Sequence, residues 1–212
     1  MGKGMMEFTE TVRRKIYAKL INAEHNKEML ETVPHRRFLD LAVVYYVSFE
    51  GEDGQRNSME QVSNKFMALW GKDEEILYQT AMENMRAAGE AVFVSMETVI
   101  KQIYPKADIP EEVKDYDAGM YILTNKSKEY GASELLDRST LQMIADKVGD
   151  KFIILPSSIH ECIILRMHSV PEYEKLAEMV QEVNDTEVRE EERLSYHVYV
   201  YSRDKDALLI AA

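Results

Sequence analysis

The sequence has 212 residues, 45% hydrophobic and 30% charged, the profile of a globular chain long enough for one well-cored domain, which excludes a disordered or fibrous protein. Its 38 acids and 26 bases leave a formal net charge of −12, which sets it against phosphate and argues against nucleic acid as a partner. Cys162 is the single cysteine, so neither an intrachain disulfide nor a multi-cysteine zinc site can form, and no apolar run approaches the ~18 residues of a membrane span.

In chain order, Phe8, Val12, Ile16 and Leu20 recur every four residues with charges between them, predicting an opening helix. A short turn around Met29 and Leu30 stops at Pro34, which biases its predecessor away from the α region. Residues 42–49 are β-branched and aromatic and apolar on both faces, predicting a strand central in its sheet. Residues 51–57 read as a loop. Ser58 and Gln61 have capping-box spacing, predicting a helix with Val62, Phe66 and Leu69 on its apolar side and Gly71 at its end. Acids at 73–75 open the next helix, to about Arg86, and Ser95 caps a third through Tyr104. Residues 105–118 are acidic and aperiodic, the best linker candidate between a helical part, 1–104, and a β-rich part, 119–212. An isolated strand is not viable, and the one near Tyr45 has no evident partner in its own half. The two parts are therefore expected to share one sheet, giving a single domain over 1–212.

The second half alternates. Residues 120–124 form a strand, 125–130 a polar turn, and 131–136 the returning strand of a hairpin. Ser139 and Gln142 box a helix to Val148; residues 151–155 and 162–167 are buried strands; Ser169 and Glu172 box a helix to Asn184. In residues 195–202, Tyr196, Val198 and Val200 face one side and His197, Tyr199 and Tyr201 the other, and 207–210 return as an edge strand. The fold class expected is α+β: N-terminal helices followed by a mostly antiparallel sheet with helices packed on it.

Chemistry concentrates in residues 156–161, where Ser157, Ser158, His160 and Glu161 crowd one turn between two buried strands. His160, Ser157 and Glu161 are the catalytic candidates, since an imidazole transfers protons near neutral pH. The competing reading is that hydroxyls and imidazole bond the turn backbone. No Gly-x-Ser-x-Gly elbow is present. The histidines, with Glu161 and Cys162, lack His-x-x-x-His spacing, so no metal is expected. Arg36 and Arg37 offer planar forks to a carboxylate or phosphate, or else pair with one of the many acids. Asn125 opens the basic loop Asn-Lys-Ser-Lys, which is no glycine-rich phosphate cradle, so no nucleotide or other cofactor is expected. His197 and Tyr199 belong to an aromatic stripe that is either a recognition surface or a second core face.

The stretches at 121–125 (Tyr-Ile-Leu-Thr-Asn), 130–132 (Tyr-Gly-Ala), 154–161 (Ile-Leu-Pro-Ser-Ser-Ile-His-Glu) and 178–184, the Leu194 and Ser195 pair before the tyrosine run, and 34–42 (Pro-His-Arg-Arg-Phe-Leu-Asp-Leu-Ala) together resemble the DUF5688 family. The resemblance spans about residues 8–206 and implies a Firmicutes source; members of that family often carry a further segment before the first helix, and this sequence departs from them by starting almost at that helix. Residues 156–161 also resemble part of the DUF1444 group. The resemblance implies no cofactor, substrate or catalytic residue.

With no secretory apolar stretch in the opening residues, the cytoplasm is the expected location. The leading expectation is a non-enzymatic interaction or regulatory module, with a protein or small molecule as partner and no membrane. The rival is a hydrolase-like or transferase-like enzyme acting on a small molecule around residues 156–161.

Overall fold

The computed structural model describes residues 7–50, 56–104, 119–156, 158–167 and 172–212. The linker expected at 105–118, most of the loop at 51–57, and the positions Ser157 and Ser169 lie outside them. The chain divides into two compact units, residues 1–90 and 91–212.

The first unit opens with α1 (Glu10–Arg13), whose N-cap Thr9 accepts from the Val12 amide at 3.2 Å. The predicted helix over 8–20 stops there, and β1 (Ile16–Asn22) follows. After α2 (Lys27–Leu30) come β2 (His35–Phe38), β3 (Leu41–Glu50) and β4 (Arg56–Gln61). β3 is central, as its two apolar faces predict. β1 pairs along one edge, from Ile16 opposite Val47 to Asn22 opposite Leu41. β2 and β4 pair with β3 over successive stretches, all antiparallel. Among the described residues its partners are thus all local, so the pairing expected between this strand and the second half is not seen; the parts before and after 105–118 share a sheet instead through residues 91–95 and 120–125.

Ser58 lies inside β4, and the cap falls five residues later. Ser63 Oγ accepts from the Phe66 amide at 3.2 Å and starts α3 (Asn64–Leu69). Asp73 caps α4 (Glu74–Ala88) through the Ile76 amide at 3.0 Å, and Gly89 ends it in the left-handed region. α4 lies on β1, burying Leu77, Ala81 and Met82, and Asn84 Nδ2 donates to the Arg13 and Ile16 carbonyls at 2.7 and 2.8 Å. Ile21, Ala23, Leu30, Val33, Ala42 and Val44 form a second cluster.

The second unit begins with β5 (Ala91–Ser95), a strand the helical reading passed over. Ser95 then caps α5 (Met96–Ile103), its Oγ accepting from Thr98 at 3.2 Å. After β6 (Met120–Asn125), residues Gly131–Leu136 form a 3-10 turn, not the returning strand expected. Then come α6 (Arg138–Val148), β7 (Lys151–Leu155), β8 (Cys162–Arg166), α7 (Tyr173–Glu187), β9 (Tyr199–Ser202) and β10 (Ala207–Ile210). The sheet runs β10-β9-β7-β8-β6-β5, antiparallel throughout.

α7 covers one sheet face, where Ile153, Leu155, Val198 and Val180 are buried with Ile163, Leu165 and Val200. α6 packs against β7 on the other, where Phe152 meets Tyr201 with ring centroids 5.0 Å apart. Two covered faces account for strands apolar on both sides. The fold class is α+β, with mostly antiparallel sheets and helices packed on them.

Candidate functional site

Residues 156–161 join β7 to β8 at one end of the sheet. Ile159 turns back into the core, 4% exposed, and anchors the segment. The turn also pairs with a strip ahead of β9. The Ile159 amide donates to the Glu192 carbonyl and the Ser195 amide to the Pro156 carbonyl, both at 2.9 Å, with a β-bridge between Ser158 and Arg193. That strip is tied to α7 in turn: Asn184 Nδ2 donates to the Ser195 carbonyl at 2.9 Å, and Arg193 reaches Asp185 at 3.1 Å.

A third segment closes the corner. Asn125, at the end of β6, holds the loop after it with its whole amide. Nδ2 donates to the Glu129 carbonyl at 2.8 Å, and Oδ1 accepts from Ser127 Oγ and the Glu129 amide. The chain then passes through Tyr130 at φ +56, a conformation that costs a non-glycine residue roughly 1–2 kcal/mol. Gly131 follows at a close approach. A Cβ there would lie 2.4 Å from Thr124 Oγ1, 2.5 Å from the His160 carbonyl oxygen and 2.7 Å from the Asn125 amide nitrogen.

His160 sits where these segments meet. Its amide donates to Ser158 Oγ at 3.0 Å, and its carbonyl accepts from Thr124 Oγ1 at 2.8 Å. Its ring stacks on Tyr130 with centroids 5.7 Å apart and planes 15° from parallel. The Tyr130 amide donates to Nδ1 at 3.4 Å, which leaves the ring proton on Nε2. Nε2 faces Glu192 Oε1 at 3.6 Å, and Arg189 approaches the same oxygen at 3.6 Å. Burial, then Glu129 and Glu192, push the Tyr130 phenol up. The His160 side chain keeps 30% of its surface and Glu192 29%, so the pair is open to solvent. An imidazole and a carboxylate so placed can pass a proton or present two rigid rings.

The other sequence candidates divide between the units. Ser157 lies outside the described residues, and Glu161 is exposed. His197 is exposed, its Nδ1 3.0 Å from the Ala212 carbonyl oxygen. Tyr199 and Tyr201 are fully buried, so the tyrosines of that stripe are core while His197 is not. Burial also pushes the Cys162 thiol up, away from the thiolate that reacts or binds metal. Among the described residues no group of three or more His, Cys, Asp or Glu could hold a metal ion.

In the first unit Arg36 forks onto Glu74, with Nε–Oε1 2.8 Å and Nη2–Oε2 2.7 Å, reaches Glu75 at 2.5 Å, and lies 3.8 Å above the Tyr78 ring. The bonds to Glu74 push its guanidinium up. Tyr45 donates its hydroxyl to Glu74 as well, and its phenol is pushed up first by burial and then by that bond. Arg37 is exposed, donating to the Leu39 carbonyl at 2.9 Å.

Sequence reading missed Glu192 and Tyr130. Glu190–Glu192 looks like a solvated acidic run, and Tyr130 like one turn residue; only the sheet brings them to His160. The Gly131 after Tyr130 was the available signal of a close approach.

Among the described residues no helix is long and apolar enough to cross a membrane. No curated protein and no solved structure matches the chain significantly. The sequence profile of a family of unknown function, DUF5688, matches residues 3–203, nearly the whole chain. The chain therefore belongs to the DUF5688 family.

Proposed function

We propose that this protein is a non-enzymatic interaction or regulatory module whose recognition surface is the corner around His160. One observation carries the reading. The polar groups there are spent on holding three segments together, while the stacked Tyr130 and His160 rings stay partly open. A rigid aromatic pair offers contact area at little entropic cost. Its partner is a protein or a small molecule, not nucleic acid, in keeping with the net charge of −12. The cytoplasm is the proposed location, and a Firmicutes source and the looser tie to the DUF1444 group rest on sequence resemblance.

The test is cross-linking of the tagged full chain in cells followed by mass spectrometry, comparing wild type with Tyr130→Ser. A partner cross-linked by the wild type and lost with a folded Tyr130→Ser supports the module.

A second reading has its own observation. His160 Nε2 lies 3.6 Å from a carboxylate that Arg189 also approaches. That arrangement suits general acid–base work in a small-molecule hydrolase or transferase. Turnover of an ester or phosphoester substrate that disappears with His160→Gln would decide for the enzyme and against the module.

A further inference from the structure

The sheet of the second unit ends in β10, and this edge carries chemistry independent of the His160 corner. β10 reads Ala-Leu-Leu-Ile over Ala207–Ile210, without a charge or proline, the usual guards of an open edge. Leu209 is 47% and Ile210 43% exposed. Leu209 lies opposite Val200, on the sheet face that α7 covers, and Ile210 opposite Tyr199, on the other face, so both sides of the strand show an apolar side chain.

The hydrogen-bond phase of the edge follows from its neighbours. The Ala211 amide donates to the Val198 carbonyl at 2.8 Å, so the pairs bonded to β9 are Leu209 with Val200 and Ala207 with Ser202. The amides and carbonyls of Leu208 and Ile210 then point outward. Beyond Ile210 the ladder closes on a bulge: the Ala212 carbonyl oxygen accepts from the Val198 amide at 2.9 Å and faces His197 Nδ1 at 3.0 Å. Among the described residues no strand pairs with this edge. The opposite edge differs: Phe93 of β5 stacks on Tyr121 at 4.8 Å and lies under Lys147, and its strand is half-buried throughout.

We infer that β10 is a strand-addition site that takes an extended segment of a partner protein, apolar at alternate positions and flanked by Lys or Arg. Two outward amides and two outward carbonyls supply main-chain bonds, and Leu209 and Ile210 supply one apolar contact on each face. Charge and area select this occupant over a second copy of the chain. Two copies at −12 each repel, and a four-residue strand pair covers far less than the ~1,000 Å² a stable dimer needs. A basic segment gains from the same field.

The experiment titrates the full chain into a fluorescein-labelled Lys-Lys-Val-Thr-Val-Thr-Val-Lys-Lys peptide, read by anisotropy at physiological salt. Main-chain bonding tolerates side-chain variety, so this probe suffices. The expected result is saturable micromolar binding, weakened at least tenfold by Leu208→Pro, which removes an outward amide and leaves the β9 ladder intact. Circular dichroism checks that this variant folds; Leu209→Lys, which places a charge on the edge, gives the same loss by a second route. A probe of equal charge with its central Val replaced by Pro should not bind. Absence of saturable binding, equal binding of the Pro probe, or unchanged binding to both variants overturns the proposal. So does a dimer in sedimentation that Leu208→Pro dissolves, which would make a second copy the occupant. Tyr130→Ser should leave this binding unchanged.

Discussion

Gly131→Ala should destabilise the second unit more than any other single-methyl change at the His160 corner. The added Cβ would sit 2.5 Å from the His160 carbonyl oxygen and 2.7 Å from the Asn125 amide nitrogen, both backbone atoms, the first in the turn just before β8 and the second at the end of β6. Thr124 Oγ1, at 2.4 Å, can rotate away, but only by giving up its 2.8 Å bond to the same His160 carbonyl. Forced overpacking costs about 1–3 kcal/mol, and the lost hydrogen bond adds about 1 kcal/mol. The expected loss is therefore about 2–4 kcal/mol, measured by urea unfolding at pH 7. Thr124→Val separates the two contributions, since it removes the hydroxyl without crowding and should cost only about 1 kcal/mol. If Gly131→Ala stays within about 0.5 kcal/mol of wild type, the close approach is not rigid, and the corner does not hold His160 as described.

His160→Ala should cost about 1–3 kcal/mol if the Tyr130 amide is left unsatisfied; a melt unchanged from wild type would show the ring is not part of the scaffold. For Tyr45 the folded phenol is raised and stays protonated where an unfolded tyrosine, near ~10, ionises. Stability from the Tyr45 to Glu74 bond is thus fully present below about pH 10 and falls above it, at up to ~1.4 kcal/mol per pH unit. The wild-type advantage over Tyr45→Phe, followed by denaturation from pH 8 to 11, should shrink only above that point, and a constant difference would contradict it. Cys162 should resist Ellman's reagent in the native chain and react at once in 6 M guanidinium, since its side chain is fully buried; rapid native labelling would show that β8 opens. Random duplex DNA should not bind at physiological salt, and micromolar affinity with a steep salt slope would reveal a basic surface that the net charge conceals.

The strands with two covered faces were legible because burial on both sides leaves an unbroken apolar run: β3, β7 and β8 all read that way. The opening segment failed for a specific reason. Phe8, Val12, Ile16 and Leu20 stand four apart, and any set spaced by four also satisfies a period of two. Ile16, Ala18 and Leu20 are the buried side of β1, and the missing evidence was Ala18, too weak a hydrophobe to mark alternation. That error propagated. With β1 taken for helix, β2 too charged to notice and β4 polar (Arg-Asn-Ser-Met-Glu-Gln), the central strand looked partnerless, and pairing it with the second half was the wrong remedy.

The site was half legible for a related reason. Local chemistry singled out residues 156–161, because four polar side chains crowded between two core strands mark a constrained turn. What completes the corner is non-local. Glu192 is 32 residues on and meets His160 only because β7 pairs with both β8 and β9, which brings the strip before β9 alongside the turn after β7. Tyr130 is 30 residues back and arrives because β6 is the other neighbour of β8. Strand order, not motif, assembles the constellation. A turn motif in such a sheet therefore identifies one vertex of a site, and its partners lie in the loops at the same end of the neighbouring strands.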